Sequence, residues 1–273
     1  MQQPPDIASS PAHGFVVVNG LRHHYLDFGG DGNPLLLLHG VTSHGSIWRA
    51  TAPLVRGRRS IALDFRGHGD SQWSADGAYS TEDLASDVLD FIEVMDLGPV
   101  DIVGGSWGGL VGLNAAVRNQ DVAKSLTMID VPPSFPGPVS EISIDPQSYP
   151  THAESVAYIH DANGFIDRET AETVAAHGVR PGKNGQLYAK HDDYFHEARP
   201  HRGVDYWKDL ESLRLPLLIV RARNSLLLSE SVADRMLHVA HDGELAVIPR
   251  TGHRIPTDNP AALAEVLRRF LAR

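Results

Sequence analysis

Ten residues, Asp101 to Leu110, leave this chain little freedom: Asp101-Ile102-Val103 reads as a strand, Leu110 to Val117 as a helix, and Gly104-Gly105-Ser106-Trp107-Gly108 lies between them. A buried strand must turn into a helix within that short span. Such a turn strains the backbone at Ser106 and requires small neighbours two positions to either side. Gly104 and Gly108 meet the requirement, and with Ser106 they match Gly-x-Ser-x-Gly. The serine hydroxyl would then point away from the sheet, close to the unpaired N–H groups and positive dipole end of the following helix. Two plainer readings compete. The serine could simply cap the helix, or the glycines could cradle a phosphate, although the segment has neither the Rossmann spacing nor a Walker lysine.

Short apolar runs recur along the rest of the chain. Phe15 to Val18 and Leu21 to Phe28 flank Asn19-Gly20, a pair suited to a type I′ hairpin turn. Further runs lie at Pro34 to Leu38, Ser60 to Phe65, Val100 to Val103, Ser125 to Ile129, Pro216 to Val220 and Glu244 to Ile248. Continuous apolar runs of this length predict strands covered on both faces. Helical patterns alternate with them. One places Leu84, Val88, Phe91, Ile92 and Met95 on a single face, opened by Ser80 with Asp83 as a capping pair and closed by Gly98-Pro99. The last helix opens at Asn259-Pro260 and buries Leu263, Leu267 and Phe270. This alternation predicts an α/β fold whose mostly parallel, eight-stranded sheet is flanked by helices, with active-site groups at the carboxyl ends of the strands.

The rhythm breaks between residues 134 and 203, where Pro, Gly, histidines and aromatics accumulate without a convincing buried strand. We read 134–203 as a helical cap subdomain inserted after the sixth strand, with 1–133 and 204–273 forming the core. The chain has 273 residues and 42% hydrophobic composition, enough for one large core. A formal net charge of −10 opposes nucleic acid and anionic membrane surfaces as partners and leaves a neutral small molecule as the expected ligand. With no cysteine, disulfides, thiolate metal sites and cysteine nucleophiles are excluded. Met1 to Pro11 lack the basic start and apolar run of a signal peptide, so the expected location is the cytoplasm. The sequence leaves the oligomeric state open.

The elbow, the His39-Gly40 pair after the third strand, the Asp64-Phe65-Arg66-Gly67-His68-Gly69 turn after the fourth and Gly252-His253 after the last occur in an order that resembles the α/β-hydrolase superfamily over nearly the whole chain. The resemblance implies Ser106 as nucleophile, an oxyanion hole built from the N–H groups of Val41 and Trp107, and scaffolding roles for His39, Arg66 and His68. A serine needs a neighbouring base, and His253 is the one of fifteen histidines that sits between the last strand and the last helix. The usual acid is missing. After the seventh strand the chain reads Arg221-Ala222-Arg223-Asn224-Ser225-Leu226, with no carboxylate before Glu230. Asp130, directly after the sixth strand, is the relocated candidate, a position used by some branches of the superfamily. Asn224 as a neutral orienter, Glu230, or no acid at all remain alternatives.

In the inserted segment, Tyr149, Tyr158, Phe165, Tyr188, Tyr194 and Phe195 read more as that segment's own core than as pocket walls. His152, His160, His177, His191, His196 and His201 match no compact ligand motif and read as solvated surface. No metal and no cofactor is expected, since flavin and nicotinamide fingerprints are also missing. The leading expectation is hydrolysis of a small, largely apolar carboxylic ester or lactone through an acyl-enzyme. Carbon–carbon bond hydrolysis and cofactor-free dioxygenation are alternatives on the same fold. A non-catalytic ligand-binding module or receptor is the alternative from another class.

Overall fold

The structure, a computed structural model, describes residues 10–135, 145–162, 164–200 and 203–273. His201 and the first nine residues therefore lie outside it. The chain opens with the expected hairpin, β1 (Ala12–Val18) and β2 (Leu21–Asp27). Asn19 and Gly20 take φ values of 49° and 74° while Val18 pairs with Leu21, as a two-residue primed turn requires. There follow β3 (Asn33–Leu38), β4 (Arg58–Leu63), α1 (Thr81–Val94), β5 (Val100–Gly105), α2 (Trp107–Arg118) and β6 (Ala123–Ile129). The Ser80–Asp83 capping box forms at the start of α1, with both reciprocal hydrogen bonds present.

Between β6 and the next long strand come β7 (Ser148–Tyr149), α3 (His152–Ala162), α4 (Arg168–Gly178), β8 (Val179–Pro181), β9 (Leu187–Ala189), α5 (Tyr194–Glu197) and α6 (Trp207–Ser212). The insertion is thus not purely helical. Its three short strands form a separate sheet in the order β7-β9-β8. The expected seventh and eighth strands form as β10 (Leu217–Ala222) and β11 (Gly243–Ile248), separated by α7 (Glu230–Val239) and followed by α8 (Ile255–Asp258) and α9 (Pro260–Leu271).

Eight strands make one sheet in the order β1-β2-β4-β3-β5-β6-β10-β11. β2 is antiparallel to both its neighbours, and every pairing from β4 to β11 is parallel. Side chains alternate between two cores because a strand has a period of two. Leu36, Leu38 and Ile102 pack on one face with α1 and α2, whereas Leu35, Leu37 and Val103 pack on the other with Leu263, Leu267 and Phe270 of α9. The chain steps outward from β3 to β4 and then crosses back to β5. This reversal opens a crevice above the carboxyl ends of β3 and β5, where loops can hold a ligand.

The elbow at the top of β5 is crowded on its backbone side. A Cβ placed on Gly104 would lie 2.2 Å from the carbonyl oxygen of Gly108 and 2.4 Å from the nitrogen of Gly109. Neither backbone atom can retreat without unwinding the start of α2. Gly104→Ala is therefore expected to cost about 3 kcal/mol, or roughly 10 °C in Tm by thermal denaturation. An unchanged melting curve would show that the elbow has more room than this. Among the described residues, no helix is long and apolar enough to cross a membrane.

Candidate active site

Ser106 sits between β5 and α2 with φ 52° and ψ −125°, a conformation rarely tolerated by a residue with a side chain. Two backbone hydrogen bonds pin it: its N–H donates to Ile129 O at 2.8 Å and its carbonyl accepts from Gly109 N at 2.8 Å. The first ties the serine directly to the end of β6. Opposite lies the loop after β3, where a Cβ on Gly40 would come within 3.1 Å of Ser106 Cβ. Glycine there lets the Gly40–Val41 backbone approach the serine closely.

Two histidines hold that loop. His39 is fully buried; its Nε2 accepts from Phe65 N at 3.1 Å, so its Nδ1 donates to Gly40 O at 2.7 Å. His68 accepts from Thr42 N at 3.1 Å through Nε2 and donates from Nδ1 to Arg66 O at 3.0 Å. Burial pushes both imidazoles below their usual pKa, which keeps each neutral and in the tautomer that these bonds need. Thr42, with φ 55°, is fixed in the left-handed region beside Val41. Arg66 forms a two-pronged pair with buried Asp87, at 2.6 and 2.5 Å, and so braces the turn after β4. Trp107 opens α2 with its ring buried and its indole N–H on Thr81 Oγ1 at 3.0 Å.

Asp130 and His253 meet across 123 residues of sequence, with Nδ1 and Oδ2 2.9 Å apart. Asp130 is wholly buried, while 30% of the His253 side chain is exposed. The aspartate takes φ 51°, an outlier that Asp tolerates better than most residues. Its carboxylate also accepts from Ala222 N at 3.0 Å and from the Ser225 hydroxyl at 2.9 Å. The loop after β10, which lacks a carboxylate, thus supplies donors to the carboxylate on the neighbouring strand. Ser225 went unrecognised in the sequence because a lone serine in a polar loop carries no motif. Of the other two candidates, Asn224 is exposed and its N–H donates to Thr251 O at 3.1 Å, and Glu230 opens α7 and pairs with Arg221 at 3.5 Å.

Ser106, His253, Gly40 and Val41 share the wall of a cavity of about 140 Å³. Its far side comes from the insertion, through Ile159, Ile166, Val174 and Ala175. His191 corrects the surface reading of the insertion histidines: it is buried, lines this cavity and hydrogen-bonds His196 with 2.9 Å between their Nε2 atoms. A backbone bridge between His68 and His191 draws it inward. His152 and His160 are exposed, and His177 is half-buried. Phe195 likewise departs from expectation by packing on the main core, with ring centroids 4.4 Å from His68 and 4.8 Å from Tyr79. One group of possible metal ligands stands out among the described residues, His24, Asp64 and Asp70. Its lone pairs are already engaged: Asp64 accepts from His24, Gly45 and Asp70 N–H groups, and Asp70 pairs with Lys190 at 2.7 Å.

Asp258 steadies the other side of the histidine loop by accepting from Gly252 N at 2.8 Å through Oδ2, while its Oδ1 is buried without a hydrogen-bond partner among the described residues. Burial pushes its carboxyl up to about 6, although Arg254 and His253 pull the other way. A carboxyl that holds its proton more tightly folded than unfolded stabilises at acid pH, and that contribution disappears as pH rises through about 6. Wild-type stability relative to Asp258→Asn, which stays neutral, is therefore expected to decline from pH 4 to pH 8. Paired melting curves read this directly, and a difference that does not change with pH would contradict it.

A family model described as alpha/beta hydrolase fold matches residues 33–259. The N-formylmaleamate deformylase of Pseudomonas putida is 29% identical over 258 residues, covering 91% of this chain and 92% of its own. The 3-hydroxybutyrate-oligomer hydrolase of Cupriavidus necator is 30% identical over 285 residues, covering 94% of this chain and 97% of its own. Among solved structures, E-2-(acetamidomethylene)succinate hydrolase superposes with a TM-score of 0.83 at 22% identity, over 96% of this chain and all of its own, a likeness of fold.

Proposed function

Since the chain belongs to the α/β-hydrolase family and is an enzyme of that family, we propose that it is a cofactor-independent serine hydrolase of small, largely apolar carboxylic esters or lactones, acting through an acyl-enzyme. The observation that carries this reading is the 2.9 Å contact between His253 Nδ1 and buried Asp130, on the cavity that Ser106 also lines. The carboxylate keeps Nδ1 protonated, which leaves Nε2 as the basic nitrogen. Nε2 takes the proton from Ser106 Oγ as the oxygen attacks the ester carbonyl. The tetrahedral oxyanion is met by the N–H groups of Val41 and Trp107. Collapse expels the alcohol, which takes the proton from His253, and water attacks the acyl-enzyme by the reverse proton path.

Rigid placement of the donors supports this route. Preorganised N–H groups act where charge develops, and losing one typically costs about 10²–10³ in rate. His39 and His68 fix the loop that carries Val41, and Ser106 itself begins the helix that carries Trp107. A cavity near 140 Å³ with mostly apolar walls is of a size that takes a ring of about six carbons, which favours small acyl groups. That one relative is named as a hydrolase favours water as the final acyl acceptor. The test is labelling with a fluorophosphonate probe alongside turnover of 4-nitrophenyl butyrate. Stoichiometric labelling that maps to Ser106, with a burst of nitrophenol, is expected. Folded protein that neither reacts with the probe nor turns over the ester would overturn the reading.

A further inference from the structure

Arg254, immediately after His253, is the one lysine or arginine among the described residues that line the cavity. Its side chain is 33% exposed, and its Nη2 pairs with Asp145 Oδ1 at 2.5 Å. Asp145, on the approach to β7, lines the same cavity. Of the other ionisable side chains there besides His253, His44 and His191 carry no charge at neutral pH because burial pushes each down to about 4, and Tyr149 stays neutral because burial pushes its phenol up. The cavity therefore holds one fixed cation and one fixed anion amid isoleucine, valine and alanine. Placing a guanidinium in such surroundings is costly unless an anion meets it. A tie between the histidine loop and the insertion could be made more cheaply at the surface.

The guanidinium can do more than hold Asp145. It offers five N–H donors in a planar fork, and Asp145 is its one hydrogen-bond partner among the described residues. A second carboxylate entering the cavity finds matching geometry and opposite charge on that fork, one residue from the base.

We propose that Arg254 anchors a free carboxylate of the substrate, so that the preferred substrates are half-esters of short dicarboxylic acids, with the scissile carbonyl at Ser106 and the anion at Arg254. This rests on the reading of Ser106 as an acylating nucleophile, and it replaces the largely apolar acyl group expected there with one that is apolar only up to a terminal carboxylate. Asp145 occupies the guanidinium when no substrate is bound and competes with the incoming carboxylate. Arg254 is thus a specificity residue. Chemistry at the ester is unchanged: the Ser106 Oγ–carbonyl bond forms, the bond to the alcohol oxygen breaks, and the carboxylate stays ionised throughout.

The test compares mono-4-nitrophenyl glutarate with its neutral methyl diester, 4-nitrophenyl methyl glutarate. For the wild type, kcat/KM is expected to favour the half-ester by about 30-fold or more, the scale of a charge-assisted contact. In Arg254→Gln this ratio should fall to near one, chiefly through KM for the half-ester. In Asp145→Asn, where the competitor is removed and the arginine kept, the ratio should rise several-fold. A merely structural tie predicts instead that both esters decline together in both variants. A wild-type ratio near one, or parallel losses, would overturn the proposal.

Glutarate itself supplies a readout that does not depend on turnover. It should raise the wild-type Tm and protect Ser106 from the fluorophosphonate, and do neither in Arg254→Gln. If Arg254→Gln fails to fold, the Asp145→Asn ratio decides. Arg254-dependent glutarate binding without ester turnover would overturn the hydrolase reading while leaving the carboxylate site standing. Ester turnover without carboxylate preference would do the reverse.

Discussion

Replacing Ser106 with alanine is expected to lower kcat on a short-chain ester by about 10⁵-fold or more, with little change in Tm. The two halves of this expectation have separate physical grounds. On the proposed acyl-enzyme route the hydroxyl is the atom that becomes acylated, and an alanine methyl cannot form that bond, so what survives is the contribution of the proposed oxyanion donors and of substrate binding. The fold, by contrast, holds position 106 through its backbone, with the N–H on Ile129 O and the carbonyl under Gly109 N. Alanine keeps both bonds. It also inherits the same φ of 52°, so the strain is present in wild type and variant alike. Steady-state turnover, probe labelling and a melting curve on one preparation measure all of this. Turnover retained within tenfold in Ser106→Ala would move the nucleophile elsewhere.

Much of this site is legible in sequence because backbone crowding restricts residue choice. Gly104 and Gly40 have no room for a side chain without displacing their neighbours, so glycine at those positions records the turn and the close approach of two loops. Continuous apolar runs make the sheet legible for a similar reason, since each strand fills two cores at once and leaves few polar positions. The support around the site is less legible. Ser225, Asp258, Arg254 and Asp145 belong to no periodic pattern, and their partners lie 95, 6, 109 and 109 residues away in the chain. Nothing local distinguishes such residues from solvated ones. The insertion shows the same limit: strands of two or three residues have no period to read, and His191 is buried by a bridge to His68 that only the tertiary structure creates.

Asp130→Asn is expected to lower kcat by about 10⁴-fold while the enzyme remains folded, with a loss of about 1–3 kcal/mol in stability. Three donors now converge on the carboxylate: Ala222 N–H, the Ser225 hydroxyl and His253 Nδ1–H. A carboxylate accepts them all, whereas an amide has one oxygen and must turn its NH₂ toward at least one donor. If the oxygen keeps Ala222 N–H, the NH₂ faces the histidine. The imidazole then satisfies it best by accepting at Nδ1, which places the proton on Nε2 and, on the proposed route, leaves no base for Ser106. If the amide turns the other way, the buried Ala222 N–H loses its acceptor and the fold bears the cost. Glu230→Gln and Asn224→Ala provide the contrast, because both residues are exposed and stand apart from this convergence. Each should keep turnover within a few-fold of wild type. Near-normal kcat in Asp130→Asn, paired with a large loss in Glu230→Gln, would return the acid to the loop after β10 and make the 2.9 Å contact at His253 a structural tie alone.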